Sequence, residues 1–296
     1  MKKTLFKGAG VAIVTPFNAD GSINYTALGK MLEYQIANDT DAIIICGTTG
    51  EASTLTDDEQ IDVIEFTVNT VNKRVPVIAG AGSNDTAHGI NLCRRCEQVG
   101  ADGLLMVTPY YNKTTQNGLI KYYTDIAKAV DLPIIMYSVA GRTGLNIAPK
   151  TVEELADVDN IVAIKEASGN LSQVADIAAR CGDKLDIYSG NDDQILPVLS
   201  LGGKGVISVL SNVAPKYTHD MVTAFLNGDI AKATKLQLDC IDLVHNLFSE
   251  VNPIPVKEAL NIMGFEAGGY RAPLVEMERD NRAKLEQSMR AFGLIK

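Results

Sequence analysis

A chain of 296 residues, 46% hydrophobic and 21% charged, is long enough to bury a large core. Its net charge of −9 argues against nucleic acid or an anionic membrane surface as a partner, and no apolar run reaches the roughly 18 residues of a membrane span. Five scattered cysteines make no disulfide framework, and the opening "MKKTLFKGAG" lacks an apolar stretch of secretory length, so a cytoplasmic location is expected.

Short apolar runs rich in Val and Ile recur along the chain. The first four are "GVAIVTPF" (10–17), "DAIIICGTTG" (41–50), "VPVIAGAGSN" (75–84) and "DGLLMVTPYY" (102–111). Between them lie amphipathic stretches such as "TDDEQIDVIEFTVNTV", where Thr56 and Glu59 make a capping-box start. Cys93 and Cys96 form a CxxC inside "INLCRRCEQVG", which reads as a helix carrying two half-buried thiols rather than a redox or zinc pair. The last four runs are "LPIIMYSVAG" (132–141), "IVAIKEASG" (161–169), "LDIYSGND" (185–192) and "GKGVISVLSN" (203–212).

Continuous apolar strands alternating with helices predict a parallel sheet covered by helices. Eight such units in roughly 225 residues predict an α/β fold closed as a (β/α)₈ TIM barrel, which typically takes about 250. A doubly wound open sheet would show GxGxxG after the first strand, and "FNADGS" is not one. After residue 226 the β rhythm stops. Residues 227–296 read as a region of about three helices, packed on a barrel domain of residues 1–226.

In such a barrel the active site gathers at the C-terminal ends of the strands. Those ends carry Thr48, Thr49 and Glu51, then Tyr110 and Tyr111, Tyr137, and Arg142 just beyond it. Lys165, Asn191, and Ile207 with Ser208 complete the set. Lys165 ends the otherwise apolar "IVAIK", and Glu166 beside it faces the opposite side of the strand, so the two cannot pair directly. Such a lysine either snorkels out of the barrel or is held desolvated, its amine partly neutral, to form a Schiff base with a carbonyl substrate. The strand-end position favours the second.

Tyr137 is then either a core aromatic with a satisfied hydroxyl or the proton shuttle that a Schiff base requires. Thr48 and Thr49 in "GTTGE" either cap a turn or bind a carboxylate and relay a proton. Arg142 in "AGRTG" is suited to bidentate binding of a substrate carboxylate. His88, His219 and His245 do not cluster with carboxylates at metal-ligand spacing, so no metal is expected, and with no cofactor motif in the sequence no cofactor is expected either.

Taken in order, "GTTGE" (47–51), "YYNK" (110–113), "YSVAGRTG" (137–144), "IKEASGN" (164–170), "SGND" (189–192), "GGKGVISV" (202–209) and "NPIPVKEAL" (252–260) closely resemble the bacterial 4-hydroxy-tetrahydrodipicolinate synthase family, also called dihydrodipicolinate synthases. The resemblance implies a homotetramer built as a dimer of tight dimers. It also implies cofactor-free condensation of pyruvate with L-aspartate 4-semialdehyde, at the entry to diaminopimelate and lysine biosynthesis. Lys165 matches the Schiff-base lysine and Tyr137 the proton-transferring tyrosine. Thr48 and Tyr111 match the rest of the proton relay, Tyr111 reaching across the tight-dimer interface. Thr49 and the backbone at Ile207 match pyruvate-binding positions, and Arg142 the holder of the semialdehyde carboxylate.

The sequence departs from the family pattern at Ser138, where asparagine is usual, and at Ala140, where proline is usual; loss of that proline predicts a looser loop around Arg142. N-acetylneuraminate lyase, or another pyruvate-dependent aldolase, shares the lysine and tyrosine but usually lacks the arginine. A catalytically dead metabolite-binding barrel would not be expected to retain Lys165, Tyr137, Thr48, Thr49 and Arg142 together. In lysine-sensitive members the effector pocket maps onto Ala52, Ser53, Asp57, Asn84, His88 and Tyr110. Asn84 and Tyr110 match. Asp57 stands where histidine is common, Ala52-Ser53 reverses the usual order, and His88 replaces the glutamate that pairs with the effector's amino group. Weak feedback by L-lysine is the expectation.

Overall fold

The structure, a computed structural model, describes residues 2–296. Eight strands are present: β1 (Gly8–Ala12), β2 (Ala42–Ile45), β3 (Val77–Gly80), β4 (Gly103–Val107), β5 (Ile134–Ser138), β6 (Ile161–Glu166), β7 (Asp186–Ser189) and β8 (Gly205–Ser208). All pair in parallel, in chain order, and β8 returns to β1 to close the barrel. Helices α1 (Tyr25–Ala37), α2 (Asp57–Val71), α3 (Thr86–Gln98) and α4 (Gln116–Ala127) cover the first half. The second half is covered by α5 (Ala140–Thr143), α6 (Pro149–Leu155), α7 (Leu171–Cys181), α8 (Ile195–Ser200) and α9 (Pro215–Leu226). The predicted TIM barrel is therefore the fold.

Two apolar clusters build it. One fills the barrel, with Ile44, Ile78, Leu105, Ile135 and Tyr188 among its members; the other lies between the barrel and its helices. Strand β6 divides between them, Val162 and Ala163 in the inner cluster and Ile161 and Ile164 in the outer one, the alternation being interrupted where its pairing with β5 shifts register at Ile134/Ile135. The capping box on α2 is formed as predicted, Thr56 accepting from the Glu59 amide and Glu59 accepting from the Thr56 amide. Cys93 and Cys96 lie on α3 and are fully rather than half buried.

The apolar runs locate the strands but overrun their C-terminal ends, because the first loop residues at the barrel mouth are buried too. The first strand starts earlier than "GVAIVTPF" suggests, in the glycine-rich Gly8–Gly10. A Cβ at Gly10 would lie 2.6 Å from the Ile44 Cδ1 and 2.9 Å from the Phe6 Cζ, so these two buried side chains would have to shift to admit it.

Beyond α9 there are four helices rather than three: α10 (Ile230–Asp239), α11 (Ile241–Leu247), α12 (Ile254–Ile262) and α13 (Arg279–Phe292). The one that sequence reading missed is α12, in the proline-rich "NPIPVKEAL". Its Pro255 lies in the first turn, where no intrahelical donor is required. Arg271, in the segment after α12, reaches back to α2 and makes a two-point pair with Glu59, at 2.8 and 2.6 Å. That guanidinium holds the Glu59 carboxyl down to about 2.

Candidate active site

Lys165 and Tyr137 are register partners on β6 and β5, both facing into the barrel mouth. The lysine ammonium lies 4.3 Å from the centroid of the tyrosine ring. Lys165 is only 6% exposed, so its amine is screened from bulk solvent. Glu166 points the other way, as strand alternation demands: its carboxylate accepts from the Ser168 amide at 2.7 Å and from Gln173 Nε2 at 3.0 Å. Burial pushes that carboxyl above the usual range. Gly190 gives the lysine stem its space, for a Cβ there would lie 3.1 Å from Lys165 Cε and 2.6 Å from the Ala167 Cβ.

The turn after β2 presents Thr48 half-buried and Thr49 buried. Ile207 is buried on β8, in register with Gly10. Asp192, buried after β7, accepts from the Val209 and Leu210 amides at 3.0 and 2.9 Å and so ties the "SGND" loop to the end of β8. Arg142 sits exposed on α5, and its Nη2 donates to the Asn252 carbonyl at 3.3 Å. The turn that carries it is closed by Arg142 and Thr143 amides donating to Val139 and by Gly144 donating to Ala140. Ala140 is thus the first residue of that helical turn. The buried Ser138 hydroxyl accepts from the Ile147 amide at 3.3 Å, bracing the same loop from below.

Glu51, grouped with the polar mouth on sequence grounds, is not there. It turns inward, with φ +54, and pairs with the fully buried Lys257 of α12 at 2.8 Å. Tyr111 is not brought to the site by its own chain either: it is 91% exposed on a left-handed backbone, φ +67. Asn252 is the site neighbour that sequence reading missed, although it opens the quoted "NPIPVKEAL" motif; its Nδ2 donates to Thr49 Oγ1 at 2.9 Å.

A cavity of about 440 Å³ is lined by Thr48, Tyr137 and Arg142 together with Ala52, Ser53, Asp57, Asn84, His88 and Tyr110. Two of these lining residues, His88 and Asp57, are paired, Nε2 lying 2.9 Å from Asp57 Oδ2, and the other ring nitrogen lies 2.9 Å from Ser83 Oγ. Among the described residues no group of three or more His, Cys, Asp or Glu side chains is placed to hold a metal ion, and no helix is long and apolar enough to cross a membrane.

The model of the dihydrodipicolinate synthetase family matches residues 5–292. The chain belongs to that family. Similar relatives span nearly its whole length: a 4-hydroxy-tetrahydrodipicolinate synthase of Lachnoclostridium phytofermentans is 57% identical, covering 98% of this chain and 99% of its own. One of Acetivibrio thermocellus is 54% identical and covers 100% of both. Among solved structures, the chloride-inhibited dihydrodipicolinate synthase of Acinetobacter baumannii complexed with pyruvate superposes with a TM-score of 0.97. It is 41% identical, covering 99% of this chain and 100% of that one.

Proposed function

We propose that this family member acts as a 4-hydroxy-tetrahydrodipicolinate synthase, a lyase that condenses pyruvate with L-aspartate 4-semialdehyde through a Schiff base on Lys165. The single observation that carries the residue assignment is the inward-facing Lys165–Tyr137 pair at the mouth of the barrel. A neutral Lys165 amine adds to the pyruvate ketone, and loss of water leaves an iminium. The iminium draws electrons from the methyl group, which gives up a proton to become an enamine. The enamine carbon then attacks the aldehyde. The substrate's own amino group finally adds to the iminium carbon, which closes the ring and releases Lys165.

Each proton movement needs a partner close to Lys165, and this reading assigns that part to Tyr137, whose ring lies against the ammonium. Thr48 lines the same cavity and continues the relay in this reading. Thr49 and the backbone at Ile207 bind the pyruvate carboxylate, and Arg142 at the rim takes the carboxylate of the semialdehyde. The test is direct: pyruvate and borohydride together give a stable mass increment on the protein, whereas borohydride alone gives none. Absence of the increment overturns the reading.

Tyr111 completes the relay from a second copy of the chain, in a tetramer built as a dimer of tight dimers and working in the cytoplasm. Support comes from its position: a bulky residue held at positive φ and almost wholly exposed is an unfavourable arrangement for an isolated chain. Mixing Tyr111→Phe protein with Tyr137→Phe protein, each inactive alone, is expected to restore measurable activity once subunits exchange. In a mixed tight dimer one site then holds both tyrosines. Demonstrated exchange without recovery sinks the shared-site arrangement.

The same reading makes L-lysine a weak inhibitor. Asp57 does not stand free on another wall of the pocket; it is engaged with His88. An incoming ammonium group therefore finds no unengaged carboxylate at either position. Losing one carboxylate partner from a desolvated charge pair costs about 2–5 kcal/mol, roughly thirty- to several-thousand-fold in affinity. Half-inhibition by lysine is expected above the millimolar range in an initial-rate titration at neutral pH. A sub-millimolar value would show that the pocket still reads lysine.

A further inference from the structure

The motif "NPIPVKEAL" has a place in the site that the mechanism above does not use. Asn252 opens it, 6% exposed, and touches two substrate-facing residues at once. Its side-chain Nδ2 donates to Thr49 Oγ1 at 2.9 Å, and its main-chain carbonyl accepts from Arg142 Nη2 at 3.3 Å. Its side-chain oxygen is buried with no partner. Turning the amide over would instead leave both N–H groups of the NH₂ without an acceptor there, the costlier fault in a buried place. The N–H side of the amide is therefore the side that faces the threonine.

A threonine hydroxyl has one proton to give and two lone pairs. Once Asn252 occupies a lone pair, the hydroxyl has no need to spend its proton on that neighbour. We propose that Asn252 is a positioning residue that sets the direction of the Thr49 hydroxyl, leaving its O–H to donate to the carboxylate of pyruvate. The inference rests on the assignment of Thr49 as a pyruvate-binding residue. A second bolt, Lys257 of α12 to Glu51, fixes the same turn two residues further along. The C-terminal helical region is thus part of the substrate site, not only a cover for the barrel.

The experiment is a pyruvate titration read by borohydride capture, with the semialdehyde KM measured alongside. Asn252→Ala is expected to raise the half-saturating pyruvate concentration about tenfold or more, the usual scale for a hydrogen bond to a charged group. The semialdehyde KM should change less than threefold, because Arg142 leans on the main-chain carbonyl that the variant keeps. Asn252→Asp has nearly the same shape but offers only acceptors, so it should weaken pyruvate more than alanine does; it decides the matter if the alanine variant does not fold. In Thr49→Val, adding Asn252→Ala should cost little more. Wild-type-like pyruvate dependence in Asn252→Asp, or effects of the two substitutions that multiply, would overturn the proposal. Failure of the wild-type protein to be captured at all would instead overturn the Schiff-base reading.

Discussion

Lys165→Ala is expected to abolish both borohydride capture of pyruvate and turnover, while the protein keeps its fold and melting temperature within a few degrees. The loss is complete because no other amine can take the lysine's place on β6, and without the iminium the pyruvate methyl has no electron sink. The fold should survive because the alanine removes a cation from an apolar wall and leaves a space that opens on the mouth, where water can enter. Lys165→Arg sharpens the test: a guanidinium keeps the charge but is not nucleophilic at any accessible pH, so it too should fail to be captured. Mass spectrometry after reduction decides. Capture that persists undiminished in either variant removes Lys165 from the mechanism.

Lys257→Ala is expected to be strongly destabilising, on the scale of truncating a large core side chain. Lys257 is fully buried, with Phe17 and Tyr270 rings 4.3 and 5.3 Å from its ammonium, and burial holds its pKa down against the opposing pull of Glu51. Removing it leaves the Glu51 carboxylate buried and unpaired, a change that costs about 3–5 kcal/mol. Activity should fall as well, since Glu51 ends the "GTTGE" turn and its other oxygen accepts from the Arg271 amide at 3.1 Å. The double variant Glu51→Leu, Lys257→Met removes both charges and should recover a good part of the stability, though not the turn geometry. Denaturant melts of the three proteins give the comparison. A single variant that unfolds at the wild-type midpoint would show that the pair contributes nothing.

Most of the architecture was legible because it is periodic. Each apolar run needed only to be recognised as a buried strand, and eight of them separated by amphipathic stretches leave little choice but a closed parallel barrel. Lys165 was legible for the opposite reason: a cation at the end of "IVAI" breaks the local rule, and rules break where function requires it. What could not be read were partnerships between distant residues. Nothing near Glu51 announces Lys257, 206 positions away, and nothing in "NPIPVKEAL" says that its asparagine meets Thr49. The helix in that motif was hidden by its prolines, which propensity counts as breakers although the first turn tolerates them. Asp57 and His88 lie 31 residues apart on α2 and near the start of α3, so their pairing waits on the packing of two helices.

All five thiols lie inside the protein, and desolvation raises every one of them, Cys96 and Cys240 to about 12 and Cys181 to about 11. Thiolate is the reactive form, so an alkylating dye added to the native protein finds almost nothing to label. The natural sequence is consequently a silent background for spectroscopy. A single cysteine introduced on an outer loop would carry the whole signal without any native cysteine being removed first. The slow uptake of dye by the unaltered protein would serve as a clock for how often its interior opens.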